Sequence, residues 1–152
     1  MRIAVLAGAL ATLLALPAES TAQCLHRSGG PYVVTASPTT VALSADGADF
    51  AAGQVAPPVT IRVQITPNQS WRTWVLCLRA DDPTLGGYGK PIDDLVWRVA
   101  GQPSWQSIST AGSIVALGVG TAAVDVQMTF RVDAATDAAG VYGAGWTVGI
   151  AQ

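Results

Sequence analysis

Two stretches of the chain alternate strictly between apolar and polar residues. Across residues 59–66 every odd position is apolar (Val59, Ile61, Val63, Ile65) and every even one polar (Thr60, Arg62, Gln64, Thr66). Across residues 122–132 the even positions carry Ala122, Val124, Val126, Met128, Phe130 and Val132, while Asp125, Gln127, Thr129 and Arg131 follow Ala123 in the odd row. A period of two turns one row toward a core and the other toward water, so both stretches predict half-buried antiparallel strands.

Shorter runs fill the remainder. Residues 32–36 and 39–43 flank Pro38, which suits an edge or a strand that changes sheet. Residues 71–79 place Trp74, Leu76 and Leu78 on one face; Leu95, Trp97 and Val99 form another set, as do parts of 113–119. The last run, 141–151, puts Tyr142, Ala144, Trp146, Val148 and Ile150 in one row and Gly143, Gly145, Thr147 and Gly149 in the other. Turn-forming clusters at 44–47, 56–58, 66–68, 81–83, 100–103 and 137–140 punctuate these runs. The expectation is an all-β fold: one antiparallel β-sandwich of immunoglobulin-like type with roughly seven or eight strands, an open barrel being the second choice. Beyond residue 22 there is no glutamate and only one lysine, Lys90. Strong helix formers are scarce while Val, Thr and Gly abound, so almost no helix is expected there.

The N-terminus reads differently. Met1-Arg2 is a short basic start, residues 3–16 are an uninterrupted apolar or small-residue run, and Pro17 breaks it. Ser20-Thr21-Ala22 supplies the small residues that a signal peptidase reads, so 1–22 is predicted as a helical secretory signal peptide and 23–152 as the β-sandwich domain. The apolar run is shorter than the roughly 20 residues of a membrane span, and no second candidate follows, the best being 114–124. The leader looks bacterial, and the expected location is the periplasm, the cell surface or the medium.

Two cysteines lie beyond the leader, Cys24 and Cys77. Export favours pairing them. With Trp74, Leu76 and Leu78 inward, Cys77 points to the other side of its strand, so the bond would clasp the start of the mature chain to the outside or edge of that sheet.

Composition narrows the function classes. The chain has 152 residues, 50% hydrophobic and 12% charged, with Lys+Arg 8 against Asp+Glu 10 and a net charge of −2. Nucleic-acid binding through a basic field is excluded, because phosphate contacts need clustered Lys and Arg. Disorder is disfavoured on the same numbers.

The segment Asp137-Ala138-Ala139-Gly140-Val141-Tyr142, followed by an alternating strand, resembles the closing strand of exported bacterial pilin-like and adhesin-like β-sandwiches, of the spore-coat-U and chaperone–usher pilin types. The Leu95-Val96-Trp97 strand is similar to the same pattern. The resemblance implies a structural or adhesive component of the cell envelope or of an extracellular assembly. One departure stands out: Cys24 is the second residue after the predicted cleavage, leaving no room for the N-terminal extension by which such pilins exchange donor strands.

Catalytic constellations are mostly absent. His26 is the single histidine, so a Ser-His-Asp or Cys-His arrangement has little to build on. Residues 86–90 lack the spacing of a phosphate-binding loop and read as a mobile hairpin loop. Asp81, Asp82, Asp93 and Asp94 bracket that loop and are candidates for calcium or a carboxylate pair; the alternative is ordinary turn chemistry. Trp71, Tyr88 and Trp105 fall near strand ends and could form a sugar- or partner-binding surface, or pack over the rim. No cofactor is expected. The leading expectation is a non-catalytic structural or adhesive protein; the rival is a small carbohydrate- or calcium-binding module.

The terminal run carries no charged residue from Val141 onward and no proline. Exposed edges usually carry such protection. Either the strand is central in its sheet, or its edge pairs with another chain, with Val141, Gly143, Gly145, Thr147 and Gly149 along the bare row. A proline at Thr147 is the perturbation the sequence suggests for testing the second reading.

Overall fold

The computed structural model describes residues 30–86 and 89–151. In chain order the strands are β1 (Tyr32–Ser37), β2 (Val41–Ala45), β3 (Val59–Pro67), β4 (Thr73–Ala80), β5 (Thr84–Leu85), β6 (Lys90–Pro91), β7 (Leu95–Val99), β8 (Gln106–Ser107), β9 (Ser113–Val119), β10 (Ala122–Phe130), β11 (Gly140–Ala144) and β12 (Trp146–Ile150). One short helix, α1 (Gly47–Ala52), lies between β2 and β3. Every strand pairing is antiparallel. The fold is all-β, as the alternation predicts. The two-residue strands β5, β6 and β8 were beyond the reach of a periodicity argument, and β11 with β12 form one predicted run split in two.

A five-stranded sheet runs in the order β1-β3-β10-β7-β8 and a three-stranded one in the order β12-β4-β9. Their apolar rows meet in one core cluster: Ile61, Val63 and Ile65 from β3, Val126, Met128 and Phe130 from β10, Trp74, Leu76 and Leu78 from β4, and Trp146 and Ile150 from β12. Register joins like to like, with Val63 opposite Val124 and Arg62 opposite Asp125, whose carboxylate lies 3.3 Å from the guanidinium on the exposed face. Pro38 sits where the chain leaves β1 in the first sheet for β2, which pairs with β11. Of the two readings this proline allowed, both are met: β1 is the outer strand of its sheet, and the chain changes sheet after it.

Two departures from the sequence reading have local causes. Thr129 belongs to the predicted water-facing row yet is fully buried, because its hydroxyl donates to the Val55 carbonyl at 2.5 Å and the segment after α1 lies over β10. The cluster at 44–47, read as a turn, instead starts α1. Asp46 Oδ1 accepts from the amides of Ala48 and Asp49, Asp49 Oδ2 accepts from the Asp46 amide, and Gly53 closes the helix at φ 73°. This reciprocal capping satisfies amides that the first turn leaves bare and lets a six-residue helix persist.

At the β9–β10 corner, glycines admit an indole. A Cβ on Gly118 would stand 2.4 Å from Trp74 Cζ2, and the indole N–H donates to the Gly120 carbonyl at 2.8 Å. Trp74 therefore packs flat against a strand that has no side chain at that point.

Among the described residues no helix is long and apolar enough to cross a membrane. The predicted signal peptide lies outside the described residues.

Candidate functional site

The terminal strand changes partner halfway along. β11 pairs with β2, Gly140 opposite Ala45 and Ala144 opposite Val41. β12 pairs with β4, Trp146 opposite Ala80 and Ile150 opposite Leu76. The break falls at Gly145. Its carbonyl accepts from the Asp81 amide at 3.1 Å, the Thr147 hydroxyl donates to Asp81 Oδ1 at 2.5 Å, and a Cβ on Gly145 would stand 3.0 Å from Asp81 Oδ2. Asp81 thus occupies the space over Gly145 and ties the start of β12 to the end of β4. The inward row is as expected, with Tyr142, Trp146 and Ile150 buried and Ala144 and Val148 packed against the core.

Among the described residues β12 has a hydrogen-bonded neighbour on its β4 side and none on the other. Of the two alternatives the bare sequence left open, β12 takes the edge position there, without a charge or a proline to blunt it. Antiparallel ladders alternate between pairs that exchange hydrogen bonds and pairs that do not. The Ala151 amide donates to Val75 and the Asp81 amide to Gly145, so the odd residues, Thr147 and Gly149 included, spend their backbone groups on β4. The outward backbone groups belong to Trp146, Val148 and Ile150. This corrects the placement of a test at Thr147: a proline there would remove a bond inside the sheet rather than one at its edge.

The approach to this strand is anchored by a charge cluster that sequence reasoning missed. Lys90, read as part of a mobile loop, has a side chain only 4% exposed, with Nζ 2.5 Å from Asp137 Oδ2 and 2.7 Å from Asp94 Oδ2. Nζ also lies 6.0 Å from the centre of the Tyr142 ring. Asp137 accepts from the Asp133 amide at 2.8 Å, and the Tyr142 hydroxyl donates to the Ala138 carbonyl. Burial by itself would lower the Lys90 pKa, but the hydrogen bonds and charges of Asp137 and Asp94 overcome it and hold the ammonium above its ordinary value. Burial would likewise raise Asp137; Lys90 and the Asp133 amide instead hold it below the usual carboxylate value. The usable signal in the sequence was a lone lysine with aspartates around it, since an unpaired lysine is almost never fully buried.

The remaining candidates are dispersed. Asp94 is engaged by Lys90 and Asp81 by Thr147, while Asp82 and Asp93 are exposed. No group of three or more His, Cys, Asp or Glu side chains is gathered for a metal among the described residues. Trp71 stands 68% exposed at the start of β4 with the Arg72 guanidinium 5.7 Å from its ring, and Trp105 lies between β7 and β8 with Arg98 at 4.4 Å. These two tryptophans occupy different connections, each with its own arginine. Tyr88, His26 and Cys24 lie outside the described residues. Cys77 is on the face of β4 opposite Leu76 and Leu78, as expected, yet is 1% exposed. No cysteine among the described residues is free.

Comparison with known proteins finds no matching family model, no matching curated relative and no matching solved structure.

Proposed function

We propose that this chain is an exported, non-catalytic structural or adhesive component of a bacterial cell envelope or extracellular assembly, built as an immunoglobulin-like sandwich that joins another chain through the outer edge of β12. The observation that carries this reading is the position of β12 at the rim of its sheet among the described residues, combined with the absence of charge and proline from Val141 onward. Backbone groups of Trp146, Val148 and Ile150 would accept an added strand by β-augmentation, as unprotected edges do. A Cys24–Cys77 bond belongs to the same reading, stapling the start of the mature chain to the outer side of β4.

The experiment is to isolate the protein from its native source and examine its assembly state. Oligomers or filaments that dissociate when Val148→Pro removes an outward donor support the reading. A protein that is monomeric in the envelope or medium, or an assembly indifferent to Val148→Pro, contradicts it. Exposed Trp71 favours polysaccharide binding as the second reading. Saturable quenching of tryptophan fluorescence by polysaccharide, lost in Trp71→Ala, would establish it.

A further inference from the structure

A cleft opens where the two larger sheets part beside β7. Among the described residues β8 is the last strand of one sheet and β9 the last of the other. The cleft has a volume of about 480 Å³, within the roughly 300–1,000 Å³ of small-ligand sites. Trp97 and Val99 line it from β7, Gln102, Ser104 and Gln106 from the connection and β8, and Leu117 from β9. The chain before residue 30 joins at β1, the opposite flank of the first sheet, and a Cys24–Cys77 bond would hold it on the outer side of β4. The cleft lies on the other flank, between the sheets.

Its wall holds an unused donor. Trp97 is 2% exposed, yet its indole Nε1 has no hydrogen-bond partner. Buried indole N–H groups ordinarily find one, and this group can only donate, so it calls for an oxygen. Gln102, Ser104 and Gln106 are exposed and offer both donors and acceptors. Trp105, half-buried between Ser104 and Gln106, has its ring fixed in place. The Arg98 guanidinium lies 4.4 Å from the ring centre, and Arg98 Nε donates at 2.8 Å to Oε1 of Gln127, the residue opposite it on β10. The ring is thus anchored to the sheet, which lowers the cost of ordering it around a ligand. With Nε on Gln127 and its face on Trp105, Arg98 serves to hold the ring rather than to receive an anion. No carboxylate lines the cleft among the described residues, so it lacks the acid pair that glycosidic cleavage uses.

We propose that this cleft binds a neutral saccharide unit, whose C–H face packs on Trp105 while a hydroxyl accepts from Trp97 Nε1 and others bond the Gln102 and Gln106 amides. The site rests on the polysaccharide reading given above and is distinct from Trp71. Hydroxyls suit it because each both donates and accepts, matching a lone N–H as well as side-chain amides. A peptide strand added along β9 suits it less. Register along β9 shifts between the Leu76–Ala116 and Cys77–Ile114 pairs, which leaves Val115 as an extra residue on the wall of the cleft itself. Such a bulge breaks the ladder that an added strand would follow.

Proton–nitrogen NMR of the mature, oxidised chain tests this, with oligosaccharides of the cello-, malto-, manno- and N-acetylchito- series added to about 10 mM and polyuronate fragments as the charged arm. At least one neutral series should bind saturably and move the Trp97 indole N–H resonance downfield, as a new acceptor does. Trp105→Ala should weaken that binding about tenfold or more, and Trp71→Ala should leave it unchanged. Binding lost in Trp71→Ala but kept in Trp105→Ala leaves the polysaccharide reading standing and overturns this site, as does binding that leaves the Trp97 indole unmoved. Binding of the polyuronates alone likewise overturns the neutral ligand but not that reading; failure of every sugar overturns both. Should Trp105→Ala fail to fold, wild-type shifts decide: changes on Trp97, Gln102 and Gln106 support the site, and changes confined to the surroundings of Trp71 overturn it. Protection of β9 amides from exchange on concentrating the protein without sugar would assign the cleft to a strand of another chain, and also overturn it.

Discussion

Replacing Asp137 by alanine should destabilise the protein far more than an ordinary surface substitution. Removing one partner of a buried ion pair typically costs about 3–5 kcal/mol, because the other charge stays desolvated. Here Lys90 keeps Asp94 at 2.7 Å, and that carboxylate is about a third exposed, so part of the compensation survives. A loss of about 2–3 kcal/mol is expected. In urea, with an unchanged slope near 1.5 kcal/mol/M, the midpoint should fall by roughly 1.5 M. The double variant Lys90→Met/Asp137→Leu should recover part of this loss, since it removes the buried ammonium and leaves only the Asp94 carboxylate, which is about a third exposed. The pH dependence has a defined sign. Asp137 titrates below its ordinary 3.8 in the folded protein, so its contribution is complete above 3.8 and disappears as pH falls through the lower folded value. Lys90 titrates above its ordinary 10.5, so its contribution is complete below 10.5 and disappears as pH rises through the higher folded value. The gap between wild type and Asp137→Ala should be flat across neutral pH and close in strong acid. A loss under about 0.5 kcal/mol, or a gap that persists unchanged in strong acid, would refute the reasoning.

Three further outcomes follow from the packing and the covalent plan. Gly118→Ala drives a Cβ into the Trp74 indole and should cost about 1–3 kcal/mol, read by thermal denaturation together with a changed near-ultraviolet tryptophan signal. Asp46→Ala removes the cap that starts α1 and should cost about 1 kcal/mol in the same assay. Mass spectrometry of the exported protein should find no free thiol, and reduction should lower stability by up to about 4 kcal/mol, the loop entropy for a Cys24–Cys77 bond; two free thiols would end that proposal.

The long strands were legible because burial on one side writes a period of two into the sequence. β3 and β10 carry that pattern over nine residues each, and their inward rows are the ones the alternation named. The strand change at Pro38 was legible for a different reason, the missing amide. What escaped notice depends on partners distant in sequence. Nothing around Thr129 announces that Val55 will receive its hydroxyl, and Lys90 is buried only because a loop 47 residues later returns Asp137 to it. The helix α1 is too short to show a period, and its evidence lies in two aspartates that also suit a turn. At the terminal strand, residue parity was readable from Tyr142 to Ile150, but edge or centre was not, since position within a sheet is set by strands elsewhere in the chain. The same gap misdirected the choice of Thr147: side-chain parity was known, but which amides face β4 follows from pairing alone.

Amide hydrogen exchange resolved along β12 tests the central claim most directly, by comparing the isolated monomer with the assembled protein from its native source. Thr147 and Gly149 bond to β4 and should be protected in both. The Val148 and Ile150 amides point away from β4 and should exchange readily in the monomer, then become protected in the assembly as a strand from another chain takes them up. Protection of Val148 and Ile150 that is already complete in the monomer, or that is unchanged on assembly, would contradict the account.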